Sequence, residues 1–454
     1  MLSSDLAIPG TSARKKRLRY PANKKMWPHL AMALIGASWA IAFDVGIKLY
    51  LAEALAVAFL PIVAWRRVLA YYPSARSIVF AYSLWVIAII VADTVNSTPY
   101  FNTLRNVGTP ILAALSLLVC LVFVSDRPTS FLTFLAAMAM SKAIFGDPAN
   151  GEKFRDLEFG FAAILQDFNY VKVRIAPFLT PLIALLACLL YRSSVLAAAL
   201  VILAASVFYF AVDARSEGLT LFCGLLLFVG AVSGFRFRAS KIGLFAVVFS
   251  ILSYIAYITY VNYTFQYNPA GHNGLQLATM ENPYNPVELL FIGRPEWLVI
   301  GEAIYERPVF GWGSWALDID NRFSNLKIDR LNAPWGDRLD SADTWRYIPV
   351  HSMIGTGWVW GGMLGLAALL LLFRAILKLF VKLPKSKDLL MPALCIFSAQ
   401  LLWHFFFSPP QFARLMFPAI LAALIVTTHS EKLKPAFYFV SSGLPLKRGR
   451  HRYR

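Results

Sequence analysis

The chain has 454 residues, of which 58% are hydrophobic, 15% aromatic and only 15% charged, with a formal net charge of +18. Soluble domains carry about 25% charged residues, so this balance excludes an ordinary globular protein and predicts a chain built for lipid. The cations are spread over loops and two tails with no folded basic module. That pattern excludes nucleic acid as a partner and fits attraction to anionic membrane lipids.

A spanning helix needs about 20 mostly apolar residues. From the N-terminus, a basic tail over 1–27 leads into apolar runs at 28–43, 50–65, 77–93, 106–125, 129–146, 172–191, 194–212, 217–235 and 240–262. A polar stretch, 263–351, comes next. Three more runs, 352–373, 389–407 and 412–428, precede a second basic tail over 429–454. The first two runs are short and separated by Asp44 and Lys48, so they read as tilted or partly re-entrant. The expected fold class is an all-α, polytopic integral membrane bundle of about twelve transmembrane helices, organised as 28–262 and 352–428 around one large outer loop. The N-terminal tail is long and polar with no clear cleavage site, which reads as an uncleaved first span.

Cationic residues orient such a chain, since Lys and Arg concentrate on the cytoplasmic side. Arg14 to Lys25, Arg66, Arg67, Arg76, Arg127, Arg192, Arg236, Arg238, Arg374 and Lys378 all fall on one side of a twelve-span layout. Both termini are thereby expected in the cytoplasm and the 263–351 loop outside. Cys120, Cys188, Cys223 and Cys395 all lie within apolar runs, where they read as small packing residues.

The long loop concentrates the polar chemistry. Pro295 sits at a helix start and Pro308 stops it, predicting a helix from Glu296 to Glu306. Trp297, Leu298, Ile300 and Ile304 give it an apolar face, and Glu296, Glu302 and Glu306 a polar one, as in a helix lying over a membrane opening. Gly311 and Gly313 flank Trp312 in a tight turn. Asp318, Asp320 and Asn321 lack the spacing of a calcium loop and read as a solvated segment. His404 reads as a packed or interfacial side chain, and His272 has no evident partner.

Three short motifs occur in order on the predicted outer side. They are Asp213-Ala214-Arg215-Ser216-Glu217-Gly218, then Gly293-Arg294 before the loop helix, then Glu306-Arg307-Pro308-Val309-Phe310-Gly311-Trp312-Gly313 with His351 opening a Gly-rich span. Over about 205–373 this arrangement resembles the O-antigen ligase and O-antigen polymerase family. The chain departs from the family pattern at Ser352, where Asn is common, and at Trp360, where an acid usually precedes the Gly pair. Ligase versus polymerase stays open on those positions. The resemblance implies an all-helical bacterial inner-membrane enzyme without cofactor or metal. It implies inverting transfer of a glycan from a polyprenyl diphosphate carrier to a glycan or lipid-linked acceptor.

The residues suit that chemistry. Guanidinium groups meet a diphosphate with paired hydrogen bonds, and fixed cations stabilise the charge that develops as it leaves. A neutral imidazole can take the proton of an acceptor hydroxyl near pH 7. On the motifs they match, Arg215 and Arg294 are expected to hold the diphosphate and His351 to orient or deprotonate the acceptor. Arg105, Lys142, Lys172, Arg174 and Arg414 recur at the outer ends of spans against the usual charge bias, which suggests a ring that admits the carrier. Trp312 is available to stack on a sugar, and Asp337, Asp340 or Asp343 to orient His351. A twelve-span transporter is the rival reading, against which stand few mid-span charges and no internal repeat. A non-catalytic envelope assembly partner is the third.

Overall fold

The computed structural model describes residues 26–44, 48–146, 174–212, 214–233, 239–267, 272–331, 347–383, 388–414 and 416–429. The two tails, the 147–173 segment with Lys172, and Asp213, Asp337, Asp340 and Asp343 lie outside the described residues. The protein is overwhelmingly helical. Among the described helices, four are long and apolar enough to cross a membrane: α4 (Pro73–Val95), α5 (Tyr100–Asp126), α9 (Arg215–Val232) and α15 (Met353–Lys382). Five shorter apolar helices accompany them: α6 (Ser130–Phe145), α7 (Ala176–Tyr191), α8 (Val195–Ala211), α16 (Met391–Phe407) and α17 (Phe417–Thr428). These apolar walls fit insertion into a membrane and contact with lipid. Exposed Phe80, Ile87, Leu196, Leu200 and Met363 are what such contact requires.

The two earliest runs, read as tilted or partly re-entrant, form no helix long enough to span. Residues 28–43 give a helix of only 12 residues, α1 (Trp27–Ser38), followed by a small antiparallel hairpin, β1 (Ala42–Asp44) and β2 (Lys48–Tyr50). Residues 50–65 give a 9-residue helix, α2 (Leu51–Phe59), followed by α3 (Trp65–Tyr71). At about 1.5 Å per residue, neither α1 nor α2 reaches the roughly 30 Å of a hydrocarbon core. The cause is local. The Tyr50 backbone N–H donates to the Glu53 carboxylate at 2.9 Å, which starts α2 afresh instead of extending α1. The hairpin is a small addition to a predominantly helical fold.

Antiparallel helices joined by short turns place alternate ends on one face. Contacts set several element ends beside the long loop: Asn96 after α4 meets Arg307, Arg215 at the start of α9 meets Gln276, Tyr257 of α10 (Ala239–Tyr267) donates to the Pro283 carbonyl, and Trp403 near the end of α16 lies by Arg294. Packing is close where side chains are small: a Cβ at Gly224 of α9 would meet the Ile396 backbone of α16 at 2.7 Å. The long loop folds into α11 (His272–Ala278), α12 (Pro286–Gly293), α13 (Glu296–Glu306) and α14 (Arg322–Leu331). The expected bounds of α13 hold to the residue. Val299, Ile300, Ala303, Phe323, Ile348, Val359 and Trp360 form a second apolar core that ties α13 and α14 to the start of α15.

Candidate functional site

The Arg307 to Ser314 segment is a clamp. Gly311 and Gly313 take φ values of +66° and +79°, which glycine adopts without strain. The Trp312 backbone N–H donates to the Val359 carbonyl at 2.7 Å, and Met363 N–H donates to the Val309 carbonyl at 2.9 Å. This insertion interrupts α15 at Gly362, whose φ is +61°. On the other side, Ser314 N–H and Oγ donate to the two carboxylate oxygens of buried Asp93 at 2.5 and 2.7 Å. Asn106 Nδ2 donates to Ser314 Oγ at 2.7 Å, and Arg307 Nη1 donates to Asn96 Oδ1 at 2.9 Å. The loop is thereby bolted to the ends of α4 and α5. Trp312 is part of the bolt: Arg307 lies 4.1 Å from its ring centroid, Phe323 meets it edge-on, and its Nε1 donates to the Ala303 carbonyl.

Beside the clamp, charges gather around α13. Arg294 sits just before the helix, 5.8 Å from the Trp403 ring of α16, and burial pushes its guanidinium down from the usual value. Glu296 opens the helix and pairs with Lys327 of α14 at 2.8 Å, with side chains 15% and 9% exposed. Burial acts first to raise the Glu296 carboxyl, but the Lys327 ammonium outweighs it and holds the group below its ordinary value. Glu296 also feels the field of His351 and acts on Arg294, so those two predicted residues share one acid. His351 is exposed, on the strand that enters α15.

The cluster continues into the bundle. His404 of α16 bonds through Nδ1 with Ser408 Oγ at 2.8 Å and stacks on Phe412, and both Arg294 and buried Lys142 act on it electrostatically. One turn before His404, Gln400 Nε2 donates to Glu217 Oε2 of α9 at 3.1 Å. Arg215 lies on the first turn of the same α9. Its Nη2 donates to Gln276 Oε1 at 3.3 Å, and its guanidinium is 5.3 Å from the Tyr260 ring. Arg294 and His351 each interact electrostatically with Glu296, whereas Arg215 contacts Gln276 and Tyr260 and so faces α10 and α11.

The outer-end cations have separate surroundings. Arg105 stacks 3.7 Å from the Trp315 ring centroid, and Arg174 lies against the Gly146 backbone at the end of α6. Arg414 is buried with Glu53: Nε and Nη2 each donate to a carboxylate oxygen at 2.6 Å, and Nη2 also reaches the Lys48 carbonyl at 2.9 Å. That pair fastens the hairpin to the 3₁₀ turn Pro410–Arg414. Asp318 is not solvated: its buried carboxylate accepts from Phe323 and Ser324 N–H and caps α14. Sequence reasoning missed Asp93, Asn106 and Lys327. A lone acid ending an apolar run, Asp93, was the one readable signal. No family model matches the chain, and no curated protein matches it either.

Proposed function

We propose that this protein is a membrane glycosyltransferase of the O-antigen ligase or polymerase type, moving a glycan from a polyprenyl diphosphate to an acceptor sugar hydroxyl at the outer face of a bacterial inner membrane. The observation that supports the reading is that Arg294 and His351 both interact electrostatically with Glu296, and Arg294 and Lys142 with His404, where the long loop meets an apolar bundle. A guanidinium and an imidazole are the two groups such a transfer needs. The acceptor O–H gives its proton to the ring, its oxygen attacks the anomeric carbon, and the bond to the diphosphate breaks with both electrons leaving on phosphate oxygen. In this reading Arg294 and Arg215 are the cations that meet that charge. Long apolar helices suit an enzyme whose donor is carried in lipid.

The test is transfer in proteoliposomes with polyprenyl-diphosphate-linked glycan. Arg294→Ala and His351→Ala are each expected to lower the rate by at least about 100-fold. Wild-type rates in folded His351→Ala protein would remove the catalytic assignment. Substrate counterflow without glycosidic bond formation would point to a transporter instead.

A further inference from the structure

Between Arg307 and Asp318 the chain carries no charge, and Val309 and Phe310 stand at the front of this stretch, ahead of the glycine turn. Their backbone is turned inward. The Pro308 carbonyl accepts from Trp358 Nε1 at 3.0 Å, and the Val309 carbonyl accepts from Met363 N–H at 2.9 Å. The side chains are not covered by those bonds: Val309 is 52% exposed and Phe310 49%. Two large apolar neighbours therefore form an open tip on the clamp.

Contacts with α4 fix the level of that tip. The Asn96 side chain turns back one helical turn to donate to the Ala92 carbonyl at 2.8 Å, and it also donates to the Gly311 carbonyl at 3.3 Å. On the α15 side, a Cβ at Gly361 would meet that of Ala88 at 3.6 Å, two residues before Met363. The tip thus stands near the levels of Ala88 to Ala92, one to two turns inside the Val95 end of α4, which is about 5–10 Å. An interfacial segment buries its apolar side to about that depth.

The walls that meet the tip are apolar and exposed. Phe80, Ile87, Val91 and Val95 recur at helical spacing along α4, and Met363, Leu370 and Leu377 recur seven apart along α15. Val309 is bonded to the residue that heads the α15 stripe. Arg307, exposed at the base of the tip, lies on Trp312 and donates to Asn96 beyond the end of α4. A guanidinium there suits the headgroup level, with its stem over apolar surface.

We propose that the Val309–Phe310 tip is a membrane anchor, with both side chains among the acyl chains of the leaflet on the loop side. Lipid is the occupant because the tip continues the lipid-facing wall of α4 and α15 and lies below its rim. The anchor holds the clamp, and with it the break in α15, at the bilayer surface. It stands or falls apart from the glycosyltransferase reading.

The test uses full-length protein, one copy per nanodisc of phosphatidylcholine and phosphatidylglycerol. A nitroxide is attached at Val309→Cys or at Phe310→Cys in a Cys223→Ala background, the other three cysteines being buried. Asp320→Cys, exposed on the same loop, is the reference. Molecular oxygen concentrates among acyl chains, whereas a water-soluble nickel chelate is excluded from them. The ratio of oxygen to nickel collisions is expected to be at least about threefold higher at 309 and 310 than at 320. The two labels are read separately, so damage by one substitution does not decide the result. A ratio equal to that at 320 places the tip in water and overturns the proposal. Low collision with both reagents at both positions shows cover by protein, which overturns it as well.

Discussion

Asp93 and Ser314, 221 residues apart, are joined by two hydrogen bonds that use both oxygens of one carboxylate. The acid is 4% exposed and ends a long apolar helix, so its oxygens depend on the serine N–H and hydroxyl for their hydrogen bonds. This contact transmits the position of the bundle to the clamp, and through Trp312 and Val359 to the start of α15.

Asp93→Ala is therefore expected to release the loop. Two hydrogen bonds are lost and Ser314 keeps a buried N–H without its acceptor, at a cost of about 2–4 kcal/mol. The sensitive readout is limited proteolysis within 307–331, which should become several-fold faster while α5 and α16 stay protected. Unaltered cleavage would show that the loop is held elsewhere.

Neighbouring glycines in α15 make opposite forecasts. At Gly362, φ is +61° and an added Cβ would run into the Val309 carbonyl, so Gly362→Ala strains the backbone and expels the clamp. At Gly361 an added Cβ would meet Ala88 at 3.6 Å, an ordinary contact. Gly362→Ala should cost about 2 kcal/mol or more, and Gly361→Ala less than about 1 kcal/mol. Thermal unfolding of the two purified variants gives the comparison, and equal midpoints would refute the clamp geometry.

The sequence disclosed the parts whose cause is local. Apolar length locates α4, α5 and α15, and Pro295 with Pro308 bounds α13 because proline acts on its own backbone. The tight turn around Trp312 was legible from its glycines for the same reason. What stayed hidden depends on partners far along the chain. The break between α1 and α2 follows from Glu53, whose partner Arg414 is 361 residues away. Arg414 looked like a free cation at a helix mouth until that acid was placed beside it. Lys327 looked like one more loop lysine, since only folding sets α14 against Glu296.

The Glu53–Arg414 pair yields a third forecast. Both side chains are nearly inaccessible, at 0% and 6% exposure, so removing either partner strands a buried charge. Glu53→Met or Arg414→Met alone should cost about 3–5 kcal/mol, whereas the double variant Glu53→Met with Arg414→Met should recover much of the loss. A double-mutant cycle on unfolding midpoints measures the coupling. Additive losses would mean that the two ends are held by something other than each other.

Acid should undock α14 from α13, and the direction follows from Glu296. Burial pushes its carboxyl up, but Lys327, with a smaller contribution from the field of His351, more than offsets that and leaves it below its ordinary 4.5. A carboxyl depressed by folding stabilises the folded form at every pH above its unfolded value. That contribution disappears as pH falls through the folded value, where protonation leaves Lys327 and Arg294 buried without their acid. Docking of α14 is thus expected to be complete between about pH 5 and 7 and to weaken below about pH 4. Hydrogen exchange of amides 322–327, corrected for the intrinsic pH dependence of exchange, reads this directly. Arg322, paired on the exposed surface with Glu302 and Glu306, adds a weaker response of the same sign. Glu296→Gln isolates the buried contribution: it should start from lower protection at pH 7 and lose less on acidification. An acid response as large in that variant as in the wild type would assign the pH dependence to the surface pairs and leave Glu296 without a part in it.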